Sequence, residues 1–192
     1  TFLDEFKHLR DTLKVGERFS FYVIMQDGDR PGARAVRLFS KCRLEDGSQT
    51  DFKIGNPKRQ KRRFQEEFIQ PLERIVNGLD YTQKAVATPI LETLREVART
   101  PDFASAKMRK VVLFSNLLEN SEHISHYGGY ESIAGLKERS LLVLDTQGIL
   151  AGVEVIAFQI PDIKELQGPA HTKWWRDYFE YTGAAGFELK RI

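Results

Sequence analysis

The stretch Arg109-Lys110-Val111-Val112-Leu113-Phe114-Ser115-Asn116 decides the fold. Four apolar residues run unbroken from Val111 to Phe114 and stop at two polar ones. A run without alternation fits a strand covered on both faces, as in a parallel sheet with helices above and below. In open sheets of that kind, ligands sit beyond the carboxyl ends of the strands. Val111–Phe114 is therefore expected in the sheet interior, with Ser115 and Asn116 emerging at its rim. Glu119, Asn120 and Ser121 follow as a polar loop on the same edge.

The flanking sequence alternates helical and extended patterns. Phe2, Phe6, Leu9 and Leu13 recur at helical spacing, and Gly16 closes that helix. Arg18–Met25 is aromatic and β-branched and predicts a strand. Gln26–Gly32 is a turn by composition. Val36, Leu38, Ser40, Cys42 and Leu44 then alternate with Arg37, Phe39, Lys41 and Arg43. Alternation predicts one wet face, so this is an edge strand, antiparallel to the one before it. A polar connection, Glu45–Pro57, leads to a helix from Lys58 through Leu79, with a kink or a fresh start at Pro71. Thr88-Pro89 predicts a second helix start, with Thr88 as N-cap and Ile90, Leu91, Leu94, Val97 and Ala98 as its buried stripe. Further on lie a short helix over Tyr130–Arg139, a segment Leu141–Leu144 of either kind, and a strand over Val153–Ile160. A helix over His171–Thr182 and a last strand over Phe187–Ile192 complete the chain.

Bulk properties narrow the function. At 192 residues, one domain covering 1–192 is the default. A net charge of +2 makes no global electrostatic case for nucleic acid. One cysteine, Cys42, allows no internal disulfide and favours a reducing, cytoplasmic setting. No apolar run approaches the roughly 20 residues that span a bilayer, and no signal peptide is visible. The chain opens on Thr1 rather than Met and enters a helical pattern at once, so an upstream segment is expected. Neither Gly-x-Ser-x-Gly nor a phosphate-binding glycine loop is present. Cys42 alternates inward, so no nucleophile is assigned.

Three further clusters stand out. His123 and His126, with Glu119 and Glu122, have the spacing of a metal-binding pair but no cysteine partners, and a surface loop is the preferred reading. Lys58, Arg59, Lys61, Arg62 and Arg63 form a basic run that can neutralise phosphates, with Lys53 nearby and the alternating face of Arg37, Lys41 and Arg43 as an extension. Trp174-Trp175-x-x-Tyr178-Phe179 resembles a binding hot spot, and the preferred reading is the buried face of a terminal helix. Adjacent tryptophans point about 100° apart, which predicts one inside and one partly exposed.

The order of elements resembles the von Willebrand factor A-like fold, and within it a divergent bacterial group. Gly16-Glu17-Arg18-Phe19-Ser20 matches the lead into that family's second strand, and Thr88-Pro89-Ile90 matches a helix start. Val111–Asn116 stands where the family writes a strand ending in Thr-Asp or Ser-Asp. Gly152-Val153-Glu154-Val155, followed by Trp175 through Gly183, matches its late strand and last helix. The resemblance implies an α/β three-layer open sheet, mostly parallel with one antiparallel edge strand and helices on both faces. It also implies a first strand upstream of the residue 2–13 helix, ending in an Asp-x-Ser-x-Ser metal motif. Thr88 would correspond to the family's threonine ligand and Asn116 to its late aspartate. Asparagine brings no charge, so no metal is assigned, and magnesium enters only if upstream ligands exist.

The function so implied is a non-catalytic binding or assembly module for a protein partner in a bacterial cytoplasm. The contact set is Thr88, Ser115, Asn116, Glu119, Ser121 and Trp175. One alternative is nucleic-acid binding through Lys58–Arg63. Another is a metal-dependent hydrolase with ligands partly before Thr1.

Overall fold

The computed structural model describes residues 1–26, 33–50, 55–79 and 87–192. The turn expected at Gln26–Gly32 falls almost wholly outside the described residues, and so does Lys53. The chain is mixed α/β and folds as two compact units.

The first unit holds a helix α1 (Phe2–Thr12), most of the strands β1 (Arg18–Gln26) and β2 (Ala33–Cys42), and a helical run from Pro57 to Asn77. β1 and β2 form a two-stranded sheet. The Gly16 and Glu17 backbone bonds with Arg43, while Ser20 Oγ meets Ser40 Oγ at 2.9 Å, so the strands run antiparallel as the short connection requires. The expected alternation is broken at one place. Phe39 is buried, whereas Leu38 is 36% exposed. The reason is aromatic packing: Phe39 meets Phe68 edge to face at 5.5 Å, and Phe68 stacks on Phe64. A buried phenyl contributes about 1.5–3 kcal/mol.

Asn56 caps helix α2 (Pro57–Phe64) by accepting from the Arg59 N–H at 3.0 Å. Gly47 has φ +83°, and a Cβ there would strike the Pro57 carbonyl, so glycine lets the connection pass the helix start. Of the two expected outcomes, the structure has the fresh start: a new helical segment begins at Gln70 with Pro71 in its first turn. A π turn, Gln65–Ile69, comes first and helix α3 (Gln70–Asn77) follows it. The Gln70 N–H bonds to Gln65 O, so the wide turn leaves room for a proline ring one residue later.

The second unit is built on three parallel strands, β3 (Arg109–Ser115), β4 (Val153–Gln159) and β5 (Gly186–Arg191), in the order β3-β4-β5. Val111–Phe114 is thus a strand, as expected, but β4 is the middle one. Among the described residues β3 pairs only with β4, and its apolar residues are half-buried. The fully buried run lies in β4, where Val153, Val155 and Ala157 are 0–1% exposed. These three face a core shared with α4 (Ile90–Ala98), α6 (Ile133–Arg139), α7 (Leu141–Asp145) and α8 (Pro169–Tyr181). Phe158 points to the opposite face and stacks on Phe114 at 4.7 Å. A single turn, α5 (Pro101–Ala104), precedes β3. Leu141–Leu144 is helical, capped by the Ser140 hydroxyl. Both tryptophans of α8 are inside, Trp174 at 4% and Trp175 at 0% exposed. Trp174 escapes the expected exposure because its indole donates to the Glu131 carbonyl at 2.8 Å. No helix among the described residues is long and apolar enough to cross a membrane.

Candidate functional site at the carboxyl end of the parallel strands

β3 and β4 end together, at Ser115 opposite Gln159. Two local bonds then redirect the chain. Ser115 Oγ accepts the Leu117 N–H at 3.0 Å, and Asn116 Oδ1 accepts the Leu118 N–H at 3.0 Å. Such side-chain turns are what serine and asparagine do after a strand. They leave Leu117 at φ +58°, a left-handed conformation that costs a leucine about 1 kcal/mol. Two buried rings hold it there. His171 Nε2 and Trp175 Nε1 each lie 2.8 Å from Leu117 O. A carbonyl only accepts, so His171 carries its proton on Nε2. Its Nδ1 is then the acceptor for Gln159 Nε2 at 3.1 Å. Burial lowers the pKa of His171, which keeps this tautomer neutral.

Glu119 follows, and it is fully buried. Its Oε2 accepts the N–H groups of Ile90 at 2.8 Å and Leu91 at 3.1 Å. The helix cap expected from Thr88 therefore comes from across the fold, and α4 has no local side-chain cap. Thr88 instead forms an antiparallel bridge with Asn120, which also bridges Ser125. Burial pushes the Glu119 pKa up to about 8, aided by the charge on Glu92 and opposed by the two helix N–H groups.

His126 closes the turn. It is fully buried, and its Nδ1 accepts the Glu119 N–H at 3.2 Å. Burial first, then His171, lowers its pKa to about 3, so it stays neutral. Its ring centroid lies 4.4 Å from that of Trp174 and 4.9 Å from that of Tyr130. Beside it a half-open cleft of about 440 Å³ lies among Tyr130, Arg139 and Trp174.

The rim thus gathers Thr88, Ser115, Asn116 and Ser121, all half-buried. Glu119 and Trp175 are different. Each is 0% exposed, so they shape the rim from inside rather than touch a partner. Asn116 Nδ2 donates to Asp162 Oδ2 at 2.9 Å, and Gln167 Nε2 donates to Asn116 O at 2.9 Å. Gln159, Asp162 and Gln167 were absent from the expected contact set. The signal for them was the rule already applied to β3: parallel strands end on the same side, so polar residues after Val153–Phe158 belong to the same edge.

His123 is exposed but His126 is fully buried, so the surface loop expected for the pair holds for His123 alone. Asn116 Oδ1 accepts the Leu118 N–H, and the Thr88 backbone is bridged to Asn120. Among the described residues, no group of three or more His, Cys, Asp or Glu side chains is placed to hold a metal ion.

In the first unit, Lys58, Arg59, Lys61, Arg62 and Arg63 are all exposed on α2. Arg63 pairs with Glu67 at 2.8 Å and Arg62 lies 4.0 Å from Glu66. Arg43 does not extend this face, because its guanidinium sits 5.0 Å above the Phe64 ring and bonds to Asp46. Set against protein-family models, curated proteins and solved structures, the chain matches none.

Proposed function

We propose that this chain is a non-catalytic binding or assembly module of the von Willebrand factor A-like kind, from a divergent bacterial group, and that it meets a protein partner in the cytoplasm. In this reading the fold is a three-layer open sheet with an antiparallel edge strand. The partner sits at the rim carrying Thr88, Ser115, Asn116 and Ser121, with Asp162 added. The supporting observation is the fixation of Asn116: both ends of its amide are bonded, to Leu118 and to Asp162. A rim held before contact loses little freedom on binding, which favours affinity. The test is photo-crosslinking in cells. A photoreactive residue at Glu122 captures a partner, one at Glu180 on α8 does not, and Asn116→Arg abolishes capture at a temperature where the variant is still folded. Equal capture from both positions, or capture indifferent to Asn116→Arg, overturns the reading.

A second reading rests on the exposed basic run of α2, which would neutralise nucleic-acid phosphates. It requires affinity for generic DNA or RNA that falls steeply with salt and is lost in Lys58→Glu/Lys61→Glu. Binding indifferent to salt removes it.

A further inference from the structure

Glu119 is tied to the start of α4 through Oε2 alone. Its Oε1 is enclosed and has no hydrogen-bond partner. Glu92, in the first turn of α4, likewise has an enclosed Oε2 with no partner. The hydroxyls of Tyr178 and Tyr181 on α8 are in the same condition. Glu119 Oε2 sits on the N–H groups of Ile90 and Leu91, and Glu92 is the next residue of the same first turn, so both carboxyls lie at the start of α4. An enclosed oxygen without a partner costs about 1–3 kcal/mol, and more when charged. Two enclosed carboxylates at one helix start cost more still, because each disfavours the charge on the other. One proton relieves the carboxyl pair, because an O–H on Glu119 Oε1 and an acceptor at Glu92 Oε2 are satisfied by a single hydrogen bond.

We propose that Glu119 and Glu92 share one proton, the Glu119 Oε1–H donating to Glu92 Oε2, and that this proton holds the turn from residue 119 to residue 126 against the start of α4. Its loss is a plain acid dissociation: the O–H bond breaks, the electron pair stays on Glu119, and the proton leaves to water. Two negative charges then face one another inside the fold. Burial and Glu92 oppose the charged form of Glu119, and the Leu91 and Ile90 N–H groups favour it, while the Ser121 hydroxyl is engaged with Ile124 O. Tyr178, buried and held protonated by that burial, faces the pair from α8. His126 is joined to Glu119 through the backbone and stays neutral. Water must enter to solvate the new charge, and the way in is to open the turn. The site is a proton-operated latch, and it does not rest on the binding reading above.

The test uses the full chain carrying ¹³C at the glutamate carboxyls. One resonance stays protonated at neutral pH and titrates on the alkaline side. It vanishes in Glu119→Gln and moves to lower pH in Glu92→Gln, which removes the opposing charge and keeps the cap on Ile90 and Leu91. A Glu119 that titrates among the exposed carboxyls, or that ignores Glu92→Gln, overturns the shared proton. Amide exchange at Leu91 and His126 tests the latch. Relative to Glu119→Gln, the opening equilibrium in the native chain rises by up to about tenfold per pH unit between about pH 5 and pH 8. A constant ratio overturns it. If Glu119→Gln does not fold, the comparison with Glu92→Gln decides, since the rise then shifts to lower pH with the Glu119 titration.

Discussion

Glu119 and His126 hold each other twice. The Glu119 N–H donates to His126 Nδ1 at 3.2 Å, and the His126 N–H donates to the Glu119 carbonyl at 2.9 Å. The first bond fixes the imidazole as the tautomer with its proton on Nε2. The second closes the turn that carries Ser121 and His123.

His126→Ala removes a ring packed among Trp174, Tyr130 and His171 and strands the Glu119 N–H inside the protein. The expected loss is about 3–5 kcal/mol. Urea unfolding followed by tryptophan fluorescence measures it. A loss below about 1 kcal/mol would place the ring outside the core.

Stability against pH should peak on the acid side of neutrality. Glu119, raised from 4.5 to about 8, gives stability that is whole below 4.5 and lost as pH rises through 8. His126, lowered from 6.5 to about 3, gives stability that is whole above 6.5 and lost as pH falls through 3. Glu119→Gln flattens the alkaline limb and leaves the acid limb in place. Glu119→Ala also uncaps α4, at a cost of about 2–4 kcal/mol at any pH. Thermal unfolding across pH separates the two variants, and an unchanged alkaline limb in Glu119→Gln would mean another group titrates there.

The sequence carried the elements more plainly than their company. Strand patterns at Arg18–Met25, Val111–Phe114 and Val153–Ile160 and the stripe of Ile90, Leu91 and Leu94 are local, and periodicity exposes them. Which strand sits in the middle is not local: Val111–Phe114 and Val153–Phe158 are both apolar, and only pairing ranks them. Asn116 at the rim was legible from strand position. The cap on α4 was not, because Glu119 lies 29 residues from Ile90 and no nearby spacing marks it. Glu119 and His126 looked like loop residues, since charged and polar types are seldom buried without a partner far along the chain.

Leu117→Gly should separate backbone strain from burial. Glycine recovers about 1 kcal/mol at φ +58°, but a fully buried side chain is lost, so a net destabilisation of about 2 kcal/mol is expected. Trp175→Phe removes one donor to Leu117 O and leaves a cavity where the second ring of the buried indole sat, costing about 2–4 kcal/mol. Chemical denaturation measures both. A stabilising Leu117→Gly would show that strain outweighs packing at this corner.

Asn116→Asp should convert a bond into a repulsion. Asn116 Nδ2 donates to Asp162 at 2.9 Å, and a carboxylate in its place has nothing to donate. A loss of about 1–2 kcal/mol at neutral pH is expected, shrinking as either acid is protonated. The double variant Asn116→Asp/Asp162→Asn restores a donor and recovers most of the loss. Equal losses in the single and double variants would show that the pair is not coupled.

The wide turn at Gln65–Ile69 amounts to one extra residue wound into an otherwise regular helix. Removing a residue from an ordinary helix rotates everything beyond it by about 100°, but here a single deletion would restore normal winding and leave Leu72 and Val76 pointing inward. What forbids it is Pro71, whose ring would then collide with the carbonyl one turn back. The surplus residue can therefore be deleted only after Pro71 has been replaced, whereas Pro71 can be replaced with the wide turn left in place.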